Sequence, residues 1–122
     1  IAVPGGMPGA ERLRDCETLT AMLKAQAGEE GKYVAAVCAA PAVVLHSHGI
    51  LAGKSATCYP APPFVSVLED HKDGAEDDVV VDGNVVTSRG PGTSLKFALK
   101  LVEVLYGTEK SVELQEQMLV KM

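Results

Sequence analysis

A doubly wound α/β domain with a mainly parallel sheet is the fold this sequence predicts, and three observations predict it. Short apolar runs alternate with longer stretches whose apolar residues recur at three- and four-residue spacing, the order of strand and helix in such folds. The run Tyr33 to Val37 is apolar throughout, as a central parallel strand covered on both faces requires. Aromatic residues are scarce, with no Trp, two Phe and three Tyr, while Val, Ala and Leu abound, which suits helices packed on a sheet better than an aromatic-rich sandwich. At 122 residues the chain fits one domain, residues 1–122.

The elements follow in order. Ile1-Ala2-Val3 reads as the end of a buried strand, stopped by Pro4-Gly5-Gly6-Met7-Pro8-Gly9, whose glycines and prolines exclude regular structure. From Ala10 to about Ala27, Leu13, Cys16, Leu19, Met22 and Leu23 mark one apolar face of a helix that ends near Gly28. The strand Tyr33 to Val37 is closed by Cys38, and Ala39 to Leu45 reads as a helix with Pro41 in its first turn, where a missing N–H costs nothing. Ser55 to Tyr59 is a short strand before Pro60, and Pro62-Pro63 opens a loop or short helix toward the acidic stretch Glu76-Asp77-Asp78. Val79-Val80-Val81 and Val85-Val86-Thr87 flank Asp82-Gly83-Asn84, a hairpin signal. After a second glycine-rich loop, Ser88 to Thr93, the spacing predicts an amphipathic helix over Ser94 to Tyr106 with Gly107 just past its end, then a last helix from about Lys110 to Val120.

Composition narrows the function. A net charge of −5 with eleven scattered basic residues speaks against nucleic-acid binding, which needs clustered Lys and Arg. No apolar stretch reaches the roughly 20 residues that span a bilayer, so no membrane partner is expected. Three cysteines at positions 16, 38 and 58 form neither a CxxC pair nor an even-numbered framework, pointing to a reducing, cytoplasmic setting. The opening strand without an initiator Met or signal peptide leads to the expectation that strands N-terminal to Ile1 complete the sheet, as residues outside this chain or as a separate fragment of the same protein.

Cys38 is the foremost candidate for chemistry. It lies at the carboxyl end of a buried strand, the edge where open α/β sheets place their sites. The small Ala39 and Ala40 permit a sharp turn into a helix whose free N–H groups face back toward the sulfur, a field that favours the nucleophilic thiolate. On the residues alone, Cys38 reads equally as a nucleophile or as a small buried hydrophobe. The glycine loop ends the preceding strand, so its main-chain N–H groups, with that of Ala39, could form an oxyanion hole; an ordinary strand-to-helix turn or a phosphate loop are the other readings. His46 and His48 sit at the far end of the helix that Cys38 begins, with no acidic or Cys partner to complete a ligand set, and read as surface residues; His71 carries no signal. Cys16 and Cys58 read as packing residues and Glu76-Asp77-Asp78 as a solvated turn. Neither a metal nor a cofactor is expected, since the chain has no GxGxxG and no GK[ST] after its glycines.

Three segments together, Pro4-Gly5-Gly6-Met7-Pro8-Gly9-Ala10, Ala36-Val37-Cys38-Ala39-Ala40-Pro41-Ala42 and Thr87-Ser88-Arg89-Gly90-Pro91-Gly92-Thr93-Ser94, resemble the parkinsonism-associated protein deglycase branch of the ThiJ/PfpI superfamily over essentially the whole chain. The resemblance implies a flavodoxin-like three-layer sandwich lacking its N-terminal strands here, a homodimer, and a readily oxidised cysteine at a nucleophile elbow, matching Cys38. It also implies that amides of Gly5, Gly6 and Ala39 surround the reactive centre. The activities it implies are cofactor-free conversion of 2-oxoaldehydes to 2-hydroxy acids and repair of glycation adducts, with oxidative-stress sensing and chaperone action as the alternative. A cysteine peptidase is a weaker third, since that branch places a histidine directly after the nucleophile and this chain has Ala39. Two departures stand out. Where members often carry a histidine before the proline ending the next strand, this chain has Tyr59, a substrate-contact candidate that donates a hydrogen bond but is a poor base near neutral pH. The glutamate that bonds the cysteine in the family belongs to a segment ahead of the glycine loop and is expected outside this chain.

Overall fold

The computed structural model describes residues 1–122. Six strands form, β1 (Ala2–Val3), β2 (Val34–Val37), β3 (Ser55–Ala56), β4 (Asp70–His71), β5 (Val79–Asp82) and β6 (Val85–Ser88), with helices α1 (Gly9–Arg14), α2 (Glu17–Ala27), α3 (Pro62–Val65), α4 (Ser94–Tyr106) and α5 (Thr108–Gln117). The main sheet runs β1-β2-β6-β5. Its first three strands are parallel, with Val3 opposite Ala36 and Val37 opposite Ser88, and β5 closes the edge antiparallel to β6. This is the mainly parallel, helix-flanked α/β sheet that the sequence predicts.

Both faces of β2 are covered, which explains its uninterrupted apolar sequence. Val34 and Ala36 join the larger core with Leu23, Val44, Leu45 and Val85, while Ala35 on the opposite face packs with Val86 and Phe97 of α4. Each large aliphatic side chain so buried contributes about 1.5–3 kcal/mol. The hairpin turns at Gly83-Asn84, where Gly83 takes φ 59. Its flanking side chains tie the layers together: Asn84 Nδ2 donates to Ala27 O at 2.8 Å, and Asp82 Oδ2 accepts from the Ser55 N–H at 2.7 Å. No helix is long and apolar enough to cross a membrane.

Several elements depart from expectation. The first helix is two, because Cys16 adopts an extended backbone (φ −80°, ψ 107°) between α1 and α2. Cys16 is thereby exposed at the break instead of packing in the core, and Met22 is exposed with it. The segment after Cys38 is helical but wound wide over Pro41–Leu45 and tight over His46–His48, ending at Gly49 with φ 76. The strand expected over Ser55 to Tyr59 pairs only through Ser55–Ala56, with β4, because the Thr57 N–H turns to the Thr87 hydroxyl (2.9 Å) and the Tyr59 N–H to the Cys38 carbonyl (2.8 Å).

Candidate functional site

β2 ends at the carboxyl edge of the sheet, and the next residue, Cys38, takes φ 65. That left-handed conformation costs a residue with a Cβ about 1–2 kcal/mol, so it persists only because its neighbours fix it. The Cys38 N–H donates to Ser88 O at 3.0 Å and its carbonyl accepts from the Tyr59 N–H at 2.8 Å, clamping the residue between β6 and the segment after β3. Behind it, Ala39 and Ala40 are buried, leaving no room for larger side chains at the turn.

The glycine loop lies directly on this elbow. Because β1 is the neighbour of β2, the loop leaves the sheet beside Cys38. A methyl group on Gly5 would stand 2.7 Å from Cys38 Cβ, 2.8 Å from Val37 O and 3.0 Å from Ala39 N, so only glycine fits. Gly6, at φ +85, has open space beside it. The N–H groups of Gly5, Gly6 and Ala39 donate to no backbone acceptor in the chain, whereas the Gly6 carbonyl is engaged by the Ala10 N–H at 2.7 Å. Three unpaired donors thus belong to the loop and the turn that hold the half-buried Cys38.

Tyr59 joins the elbow through its backbone. Its ring is exposed, meets Phe64 edge-on at 6.4 Å, and covers Gly90, where an added Cβ would lie 3.5 Å from Tyr59 Cδ1. Cys58, immediately before it, is fully buried, and its Sγ donates to Tyr59 O at 3.4 Å. Burial pushes the Cys58 thiol up to about 11; the nearby Cys38 adds to this and Arg89 opposes it. The expectation that Cys58 packs is met.

The loop after β6 is stitched into one shape. Ser88 Oγ lies 2.7 Å from both Asp78 O and Thr93 Oγ1, and Thr93 Oγ1 also accepts from the Gly90 N–H at 3.1 Å. Arg89 is thereby held at the sheet edge, its Nη1 3.5 Å from Asp78 Oδ1, while Asp78 Oδ2 receives Lys96 Nζ at 2.7 Å. Lys96 first and Arg89 second hold the Asp78 carboxyl below its ordinary range, so Asp78 is a paired charge and not merely part of a solvated turn. The Arg89 Nε is buried without a hydrogen-bond partner. Sequence alone assigns Arg89 no role beyond its motif; the structure places it directly after β6, at the carboxyl edge of the sheet, paired with Asp78. His46 is exposed, but His48 is not a free surface residue: its Nε2 lies 2.8 Å from Arg14 O and 3.1 Å from Thr20 Oγ1, tying the helical segment after Cys38 to the break between α1 and α2.

Known proteins share this arrangement. "Protein DJ-1 homolog B" of Arabidopsis thaliana is 51% identical over 120 residues, 98% of this chain and 26% of that protein. "Glutathione-independent glyoxalase DJR-1.2" of Caenorhabditis elegans is 40% identical over 115 residues, 91% of this chain and 57% of that protein. The structure of oxidized Toxoplasma gondii DJ-1 superposes with a TM-score of 0.87 at 46% identity, covering 97% of this chain and 62% of that one. The chain therefore spans less than two thirds of each of these relatives. A family match over residues 1–104 takes in β1 through nearly all of α4 and with them the whole elbow: the chain belongs to the DJ-1/PfpI family.

Proposed function

We propose that the chain carries the nucleophile and the oxyanion-binding groups of a cysteine-dependent, cofactor-free enzyme that converts 2-oxoaldehydes to 2-hydroxy acids or removes glycation adducts. The observation that carries this reading is the set of unpaired N–H groups at Gly5, Gly6 and Ala39 around Cys38. The Cys38 thiolate adds to the aldehyde carbon, and the amides bind the oxygen that gains the electron pair. A base moves the proton from the aldehyde carbon to the neighbouring ketone carbon, giving a 2-hydroxy thioester. Water hydrolyses this ester, returning the thiol and releasing a 2-hydroxycarboxylate. The proton shuttle is assigned to a carboxylate beyond these residues, the glutamate that the family resemblance places ahead of the glycine loop. Tyr59, exposed beside the elbow, contacts substrate. The working form is a cytoplasmic homodimer acting on small 2-oxoaldehydes or glycated substrates. In the full-length protein, Cys38→Ser should abolish methylglyoxal consumption with the fold retained by circular dichroism; undiminished consumption would refute the assignment.

A second reading, redox sensing with the same cysteine, is favoured by the contrast between half-buried Cys38 and fully buried Cys58. Oxidation to the sulfinic acid would place anionic oxygens against the free amides. Mass spectrometry after mild peroxide should find Cys38 oxidised before both the exposed Cys16 and the buried Cys58; oxidation of either of those first would end this reading.

A further inference from the structure

The chain completely buries three polar residues, Thr57, Thr87 and Ser88, and each belongs to the frame that grips Cys38. A buried hydroxyl costs stability unless it is bonded. Thr87 and Ser88 meet that requirement at the end of β6: Ser88 Oγ lies 2.7 Å from both Asp78 O and Thr93 Oγ1, and Thr87 Oγ1 accepts the Thr57 N–H at 2.9 Å. Thr57 enters through that N–H, its own hydroxyl being unpaired.

The two grips on Cys38 differ in kind. Its N–H is held by the Ser88 carbonyl at 3.0 Å, a main-chain bond that any residue at that position supplies. Its carbonyl is held by the Tyr59 N–H at 2.8 Å, and Tyr59 reaches it because the chain, after pairing with β4 at Ala56, is drawn to β6 by the bond from Thr57 to Thr87. Thr57 and Tyr59 are two residues apart, so holding the one amide limits where the other can lie. Thr87 is itself fixed, opposite Ala36 of β2 on one side and Val80 of β5 on the other.

We propose that Thr87 is a positioning residue of the elbow: its hydroxyl oxygen, the one side-chain atom behind either grip, draws segment 57–59 onto the sheet so that the Tyr59 N–H holds Cys38 in its left-handed turn. The inference deepens the proposed function and rests on it in taking Cys38 as the reacting residue. A residue with a Cβ does not keep such a turn unaided, so the side chain that aims the second grip governs how Cys38 is presented. Valine, equally branched, fills the same space but offers no acceptor and leaves the Thr57 N–H buried without a partner.

Alkylation of Cys38 tests this without turnover. Iodoacetamide places a CH2 group on sulfur with loss of iodide, and peptide mapping follows Cys38 and Cys16 separately. In the full-length protein, Thr87→Val should slow the labelling of Cys38 relative to the exposed Cys16 roughly tenfold, the scale of one buried hydrogen bond. Thr87→Ser, which keeps the acceptor, should restore most of the rate. Cys38 labelled at or above its wild-type rate in folded Thr87→Val, or slowed equally in Thr87→Ser, overturns the proposal whatever the enzyme's activity, whereas failure of the glyoxalase reading alone leaves the slowing and its rescue intact. If Thr87→Val does not fold, hydrogen exchange of the wild-type protein decides: the Thr57 and Tyr59 amides should open together with equal protection, and a Tyr59 amide that exchanges while Thr57 stays protected overturns the proposal.

Discussion

Cys38 and Cys58 are the same residue type in adjoining backbone segments, linked by the Tyr59 N–H to Cys38 carbonyl bond, yet they occupy opposite environments. Cys38 is half-exposed in a left-handed turn with free amides nearby; Cys58 is sealed in the core and its thiol held protonated to about 11. The difference teaches that a thiol's exposure here is set by the turn and not by the residue. A thiol one segment away, with no free donors and no access, is a packing group.

The comparison breaks most severely at Gly5. Gly5→Ala forces a Cβ to within 2.7 Å of Cys38 Cβ and 2.8 Å of a carbonyl oxygen, neither of which is the end of a flexible chain. It should destabilise by about 3 kcal/mol, the upper part of the overpacking range, measured by urea denaturation, and should leave Cys38 labelled no faster than Cys16.

Next in size is the pH response of Cys58. In the unfolded chain its thiol ionises near 9.0, whereas burial holds it to about 11 when folded. Its contribution to stability is therefore complete below pH 9, declines above it, and is gone once pH passes 11; the loss is about 2–3 kcal/mol. Wild type should lose that much more stability than Cys58→Ala between these pH values, and parallel curves would show Cys58 to be less buried than it is drawn.

A smaller effect separates strain from function. Cys38→Gly relieves the φ 65 conformation and should raise stability by about 1 kcal/mol while removing the nucleophile. A loss of stability would mean that the thiol packs more than it strains. Smallest of all, Cys16→Ser at the exposed helix break should change the unfolding free energy by less than about 0.5 kcal/mol in urea denaturation and leave Cys38 labelling untouched.

How much of this was legible depends on the range of the forces involved. The helix Ser94–Tyr106 was readable to its ends and the hairpin around Gly83 to within one residue on each strand, because apolar spacing, the following Gly107 and the turn residues are local signals. The elbow was legible as a place, since Cys38 follows an apolar run, but its φ and the clamp from Ser88 and Tyr59 are long-range. Periodicity carried straight through Asp15-Cys16 and concealed a break that depends on packing. β4 left no pattern, because Asp70–His71 is too short and too polar to alternate. Arg89 stood in view within a recognised motif, yet its pairing with Asp78, which Lys96 shares, joins residues apart in sequence and exists only in the fold.

The His48 contact settles a tautomer. A carbonyl oxygen only accepts, so the nitrogen 2.8 Å from Arg14 O carries the hydrogen; the Thr20 hydroxyl, which donates to Cys16 O at 3.0 Å, has a lone pair left to share it. The ring therefore carries its hydrogen on Nε2. The far end of the helical segment that follows Cys38 is thereby fastened to the break between α1 and α2, so the elbow is moored at both ends of that segment.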